Sequence, residues 1–378
     1  MNLSQKVEEL ENLTIKRLKV KIQSIRTELP KEEQKVITFS KNFTLSLSNY
    51  CQNQCGYCFY NQTIPKANKE HNVVLIKEDT INDLIQTAIR CGCTEALLMS
   101  GEAPDNFKVV QKELGKRNHG DFFQFVRNLS EKLLEVNLLP HTNIGVLSFA
   151  QLQSLKEFNA SMGLMIESTC KSLSNPGGVH ENSPGKTPEI RINHIKNAGK
   201  LKIPFTTGLL LGIGENFRDR INDLLLIKEI HQKYGHIQEV IIQNFTEKSG
   251  IRYRPKKAIT IEETLKTAGI AKLIFGNQIK IQVPPNLIQN YEKEALKIGI
   301  DDFGGISPFT FDYINPNHSW PKIDYLERIC ESNGFELRER LPIYKKFISK
   351  KGFCSENIKK AINNINQNVR NKKNSSKS

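Results

Sequence analysis

Cys51-Gln52-Asn53-Gln54-Cys55-Gly56-Tyr57-Cys58 is a short polar stretch with three thiols at spacings of four and three residues. It follows a strand-like run, Thr44-Leu45-Ser46-Leu47-Ser48. A loop of this length can wrap one inorganic cluster and bring three sulfurs to three of its irons. Soft thiolates select iron–sulfur chemistry over harder metals, and such clusters are normally held by four thiolates. Locally the fourth is missing, which leaves one iron open to a substrate or cofactor. Other readings stand beside this one. Three thiols cannot pair off as a disulfide framework, and no secretory context is visible. A structural zinc site wants a fourth ligand; His71 is the nearest candidate, and its spacing does not single it out. Free cysteines also serve as small buried hydrophobes.

The chain has 378 residues, 38% of them hydrophobic, enough for a sizeable core and within the range of a one-domain α/β barrel. Met1-Asn2-Leu3-Ser4-Gln5-Lys6-Val7-Glu8-Glu9 carries no apolar signal region, and no stretch reaches the roughly 18 apolar residues of a membrane span. A cytoplasmic protein with reduced thiols and no membrane partner is expected. Cys91, Cys93, Cys170, Cys330 and Cys354 are scattered and read as structural. The net charge of +14 is concentrated at the end: from Pro342 to Ser378 there are ten Lys or Arg and one acid, Glu356. Such an Asn-, Lys- and Ser-rich end reads as a solvated, partly disordered tail. No aromatic residues alternate with the basic ones as base-stacking would require, which argues against nucleic acid.

Beyond a helical extension over residues 1–36, strand-like and helix-like segments alternate. Strands are expected at 44–48, 96–101, 142–146, 161–168, 205–212, 239–245, 279–285 and 301–306. Helices are expected at 79–90, 120–136, 149–157, 187–199, 216–233, 260–273 and 287–298. Eight strands with intervening helices imply a parallel (β/α) TIM-type barrel over 37–345, followed by the tail at 346–378. Chemistry in that fold sits at the C-terminal ends of the strands. The cysteine loop, Ser100-Gly101-Glu102, Glu167, Gly212-Ile213-Gly214-Glu215 and Gln243-Asn244 all fall there.

The three-cysteine spacing, with aromatic Tyr57 just before the third thiol, resembles the signature of radical S-adenosylmethionine enzymes. The resemblance implies a 4Fe-4S cluster on Cys51, Cys55 and Cys58. Its open iron would chelate the amino and carboxylate groups of S-adenosylmethionine. One electron then splits that cofactor into methionine and a 5'-deoxyadenosyl radical. Tyr57 would pack near the adenine. Ser100-Gly101-Glu102 resembles the family's Gly-Gly-Glu element, with Gly101 allowing close approach of the methionine part and Glu102 accepting from its ammonium; the structural alternative for Glu102 is to favour a helix N-terminus. Gly208-x-Leu210-x-Gly212-x-x-Glu215 matches the family's fifth-strand pattern, with Leu for Ile, and places Gly212 beside the adenine. Glu167 is a ribose hydroxyl partner or a structural ion pair.

Further segments resemble the first-subunit family of 7,8-didemethyl-8-hydroxy-5-deazariboflavin synthases. They are Pro140-His141-Thr142-Asn143-x-Gly145-Val146-Leu147-Ser148, Met165-Ile166-Glu167-Ser168, Gly177-Gly178-Val179-His180, Ile203-Pro204-Phe205-Thr206-Thr207-Gly208, Asn315-Pro316-x-His318-x-Trp320-Pro321 and Glu339-Arg340-Leu341-Pro342-Ile343-Tyr344. Ala103 departs from that family, where a basic residue is expected. The resemblance implies a lyase that takes the adduct of a 4-hydroxybenzyl group and a ribitylated uracil and closes it to a deazaflavin with loss of ammonia. It implies a second radical S-adenosylmethionine subunit as partner, and an electron donor such as flavodoxin or ferredoxin. His141, His180, Asp301, Asp302 and His318 are rim or loop candidates for substrate binding or proton transfer. The alternatives are another radical reaction on an aromatic or heterocyclic substrate, such as menaquinone-precursor or biotin synthesis, and a zinc-stabilised nucleic-acid-binding protein.

Overall fold

In the computed structural model, which describes residues 3–64 and 72–375, a single sheet closes on itself. Its strands are β1 (Val36–Ser46), β2 (Glu95–Met99), β3 (Leu139–Asn143), β4 (Ser161–Gly163), β5 (Phe205–Leu211), β6 (Ile237–Asn244), β7 (Lys280–Gln282), β8 (Asp302–Ile306) and β9 (Glu336–Glu339). Every pairing is parallel. β1 closes the barrel by pairing β2 through Asn42–Ser46 and β8 through Thr38–Lys41. Burial on both faces is what near-continuous runs such as Phe205–Leu211 encode.

Helices follow the strands because the sequence supplies start and stop signals at each crossing. Ser148 with Gln151, Asn216 with Asp219 and Thr260 with Glu263 form reciprocal capping boxes at three helix starts. Gly92 and Gly235 end two helices in the left-handed conformation. The amphipathic helix Glu78–Cys91 buries Ile81, Ile85 and Ala88, and Phe122–Glu135 buries Phe125, Val126, Leu129 and Leu133. The barrel core is one contiguous cluster that also takes in Leu18 and Ile22 of the helix Ile15–Thr27, part of the N-terminal extension.

All eight expected strands are present, and several differ in extent. The fourth is only three residues, because Glu167 turns into the left-handed region (φ 62°) and leaves a lone bridge to Leu209 in place of a ladder. The helix expected over 287–298 is confined to Glu292–Lys297, after a turn at Pro285–Leu287 that begins with two prolines. Two helices, Lys108–Lys116 and Ile323–Ser332, and strand β9 were not expected.

The end of the chain differs from the tail expected of it. Described residues beyond 345 form helices Lys345–Ser349 and Glu356–Ser375. Phe347, Phe353, Ile358, Ala361 and Ile362 are buried against Leu139 and Ala160 below β3 and β4. His71, the weighed zinc ligand, lies outside the described residues. Among the described residues no helix is long and apolar enough to cross a membrane.

Candidate active site

The cysteine loop leaves β1 at the C-terminal end of the barrel and is anchored on every side. Gly101 donates from its N–H to Ser48 O (2.8 Å), and a methyl group at that glycine would stand 2.1 Å from Tyr50 O and 2.7 Å from Cys51 Cβ. Hence only glycine lets the end of β2 touch the loop this closely. Asn61 Nδ2 donates to Asn53 O (2.7 Å) and to Cys51 O (3.3 Å), bracing the loop from inside. The Gly177–Gly185 segment pads the other face: Gly56 N donates to Val179 O (2.7 Å) and Gln54 N to Asn182 O (2.9 Å).

Cys51, Cys55 and Cys58 line one cavity of about 380 Å³ that runs from this rim down the barrel axis. N–H groups already point at the sulfurs: Glu102 N lies 3.1 Å from Cys51 Sγ, Asn53 N 3.4 Å from Cys51 Sγ and Asn61 N 3.4 Å from Cys58 Sγ. Ser183 Oγ lies 3.4 Å from Cys55 Sγ. Burial pushes the Cys51 thiol up to about 12 and the Cys58 thiol up to about 11. Thiolates form at such positions when a cationic metal replaces the proton. The three thiols line one cavity, and a cubane takes one thiolate on each of three irons. The donor set therefore fits an iron–sulfur cluster.

Tyr57 lines the same cavity; its hydroxyl lies 2.9 Å from His180 Nε2, and the two rings meet edge to face. Glu102 is buried and fully engaged. Its carboxylate accepts from Gln52 Nε2 (2.8 Å) and Val146 N (3.0 Å), with Arg191 at 4.0 Å. Two glycines make room for it: a methyl at Gly185 would fall 1.6 Å from Glu102 Oε1, and one at Gly145 2.4 Å from Cγ. Glu102 thus ties the cysteine loop to the loop after β3, a role that helix capping did not anticipate. Glu167 reaches the cavity and meets Lys186 Nζ at 2.5 Å. Burial opposes its ionisation, but the Lys186 ammonium and Arg191 guanidinium outweigh it and hold the carboxyl below its usual range. The left-handed backbone at Glu167 is the kind of strain that persists where surroundings over-determine it.

Gly212 stands apart from this cavity, in an adjoining recess with Gly56 and Tyr253. Its positive φ of 86° turns the chain after β5 so that Gly212 N and Ile213 N donate to the Glu215 carboxylate (2.8 and 2.9 Å), which pairs with Arg220 (2.8 Å). The fifth-strand element reaches the cavity through Leu210.

Of the other candidates, His141 lines the cavity, bonded to Ser161 Oγ (2.7 Å), and burial lowers its pKa to about 4. His180 is lowered to about 3, so both rings are neutral. Asp301 and Asp302 are not at the rim. They sit at the start of β8, the opposite end of the barrel. Asp301 pairs with buried Lys272 (2.9 Å). Asp302 takes a bidentate grip from Arg340 (2.6 and 2.9 Å). His318 is outside the cavity lining, its carbonyl held by Asn286 (3.1 Å).

Arg340 also holds Glu239 (2.7 Å), Tyr344 OH donates to Glu239 and Asp302 (both 2.9 Å), and Pro342 O accepts from Ser161 Oγ (2.7 Å) and Gln238 Nε2 (2.9 Å). Arg340 and Pro342 thereby form the floor of the cavity, with Tyr344 bracing the carboxylates beside them. Sequence reasoning assigned no role to Lys186, Arg191, Arg340 or Lys248. Lys248 is buried against the cavity with Thr246 O at 3.0 Å, and burial lowers it to about 8. For Arg340 the available signal was the run Glu339-Arg340-Leu341-Pro342-Ile343-Tyr344, one of the segments that carry the family resemblance.

Comparisons place this geometry among known proteins. Residues 45–227 match the model of the Radical SAM superfamily. The 7,8-didemethyl-8-hydroxy-5-deazariboflavin synthase of Methanothermobacter thermautotrophicus is 44% identical over 329 residues, covering 87% of this chain and 98% of that protein. The enzyme of the same name from Methanococcus maripaludis is 45% identical over 331 residues, covering 87% and 90%. In fold, the chain is similar to the FeFe-hydrogenase maturase HydG from Carboxydothermus hydrogenoformans (TM-score 0.70, 16% identity, 98% of this chain and 85% of that one). It is also similar to methylornithine synthase (TM-score 0.65, 19% identity, 88% and 93%). With a rim of three cysteines over a closed parallel barrel and relatives this near along most of its length, the chain belongs to the 7,8-didemethyl-8-hydroxy-5-deazariboflavin synthase family of radical S-adenosylmethionine enzymes.

Proposed function

We propose that this chain performs the ring-closing step of deazariboflavin formation. It takes 5-amino-5-(4-hydroxybenzyl)-6-(D-ribitylimino)-5,6-dihydrouracil to 7,8-didemethyl-8-hydroxy-5-deazariboflavin and releases ammonia. The observation that carries the reading is the placement of Cys51, Cys55 and Cys58 on one cavity in a chain whose relatives bear that enzyme's name. Cys51, Cys55 and Cys58 would hold the 4Fe-4S cluster, with S-adenosylmethionine as its exchangeable partner. When bound, the pair supplies the one-electron chemistry that removes a hydrogen atom from the substrate.

The protein's own part is placement and exclusion. Gly101 and Glu102 fix the cysteine loop, and Glu102 N donates to Cys51 Sγ (3.1 Å). Glu167, with Lys186, borders the space beside Tyr57 where the ribose of the cofactor belongs. Gly212 makes the turn after β5, the strand whose Leu210 lines the adenine side of the cavity. The buried walls keep water and stray C–H bonds from the reacting centre. A second radical S-adenosylmethionine subunit supplies the adduct, and a flavodoxin or ferredoxin supplies electrons, in a reducing cytoplasm.

The test is direct. Anaerobically reconstituted, reduced protein given S-adenosylmethionine and the adduct is expected to yield deazaflavin fluorescence, 5'-deoxyadenosine and ammonia together. Cofactor cleavage without fluorescence would assign the chain to a different radical reaction.

A further inference from the structure

The interior of this barrel is not filled as parallel barrels usually are, by layers of Val, Ile and Leu. Asn42 and Glu95 stand opposite each other in register on β1 and β2, with Thr44 and Leu97 one layer above. Gln282 on β7 lies at the same depth as Asp302. All of Asn42, Thr44, Glu95 and Gln282 line the lower part of the cavity and are more than nine-tenths buried. Space exists there because β8 carries two adjacent glycines. A methyl at Gly304 would fall 1.9 Å from Gln282 Nε2, and one at Gly305 2.3 Å from Asn42 Nδ2.

Most of these groups have partners within the fold, Glu95 with Asn42 and the Gln282 amide with Glu239 at 3.0 Å, but one polar atom is left over. Asn42 Oδ1 has no hydrogen-bond partner among the described residues. A buried amide oxygen without a partner costs free energy, so its retention points to a ligand that completes it. The upper part of the same cavity is different in kind: Phe59, Tyr60, Phe245, Tyr313 and Trp320 gather beside the cysteines. The cavity is therefore aromatic at the cluster end and hydrogen-bonding at the closed end.

We propose that the lower cavity binds the sugar-alcohol chain of the substrate through Asn42, Thr44, Glu95 and Gln282, so that the hydroxybenzyl end faces the cysteines. The inference rests on the ring-closing activity proposed above, and it specifies which end of that substrate goes where. Each hydroxyl of a polyol both donates and accepts, which suits a lining of amide, hydroxyl and carboxylate groups. An aromatic arm has the opposite preference and stacks on rings.

The experiment measures binding of the fluorescent deazaflavin product, and of an analogue with ethyl in place of ribityl, to the full-length, cluster-loaded protein. The ribityl compound is expected to bind the parent protein at least tenfold more tightly than the ethyl analogue. Thr44→Val, which keeps the side-chain shape, should shrink that ratio threefold or more while leaving affinity for the ethyl analogue unchanged. Asn42→Ala should do the same by an independent contact. Equal affinities for the two compounds in the parent protein, or an unchanged ratio in both variants, would overturn the assignment of the lower cavity. Failure of both compounds to bind the parent protein at all would overturn the ring-closing activity instead, and this inference with it.

Discussion

A methyl group at Gly101 would meet the Tyr50 carbonyl oxygen at 2.1 Å, and backbone cannot swing aside as a side-chain tip can. Gly101→Ala should therefore push the cysteine loop outward and lower the iron and sulfide bound per chain after reconstitution. Gly115→Ala is the control: nothing lies within 4 Å of the added methyl, and Gly115 sits in helix Lys108–Lys116, so its stability should rise by about 0.5–1 kcal/mol with iron content unchanged. Asp223 offers a second residue-scale outcome. It is buried, accepts from Ser168 Oγ (2.8 Å) and Thr169 N (3.0 Å), and burial raises its pKa to about 6. An unfolded aspartate titrates near 3.9. The native state thus holds this proton more tightly, and the resulting stability is complete below about pH 3.9 and lost as pH rises through about 6. Asp223→Asn should lose less stability than the parent between pH 4 and pH 8, by about 2–3 kcal/mol at most. Urea unfolding at both pH values checks this; parallel profiles would count against it.

At the scale of elements, the final helix is where composition misled. Its Asn and Lys residues suggest solvation, yet Ile358, Ala361, Ile362 and Ile365 recur at the spacing of one helix face and pack below β3 and β4. Ile358→Ala should cost about 2–4 kcal/mol in urea unfolding, whereas a solvated tail would register nothing. Some barrel strands were legible as largely apolar runs, as at Phe205–Leu211, and mixed ones such as β7 and β8 from their place in the alternation with helices. Strand β9 was not: Glu336-Leu337-Arg338-Glu339 is charged and pairs only with the outer half of β1, and edge strands are commonly protected by such charges. The cysteines, singled out by their spacing, and Tyr57, Glu102 and Glu167, singled out by resemblance or place in the barrel, all line the cavity. Lys186, Arg191 and Arg340 were not singled out, because each acquires its partner only when distant segments cross. Asp301 and Asp302 were misplaced because the strand start, not its end, holds them.

For the whole molecule, cluster and scaffold are separable. The three thiols sit on a loop above the sheet, while the core beneath is continuous without them. Replacing Cys51, Cys55 or Cys58 by Ala should abolish iron binding and 5'-deoxyadenosine formation yet leave the far-ultraviolet circular dichroism and the Tm within a few degrees of the parent. A collapse of the fold in all three variants would mean that the metal is part of the scaffold. The floor built by Arg340 and Pro342 has a kinetic consequence of its own. A vessel stoppered at the bottom is loaded and emptied through one neck, so whichever molecule rests deepest arrives before its companions and departs after them. Turnover in such a vessel follows a compulsory sequence, and an excess of the molecule bound nearest the neck slows the reaction by trapping the one beneath it.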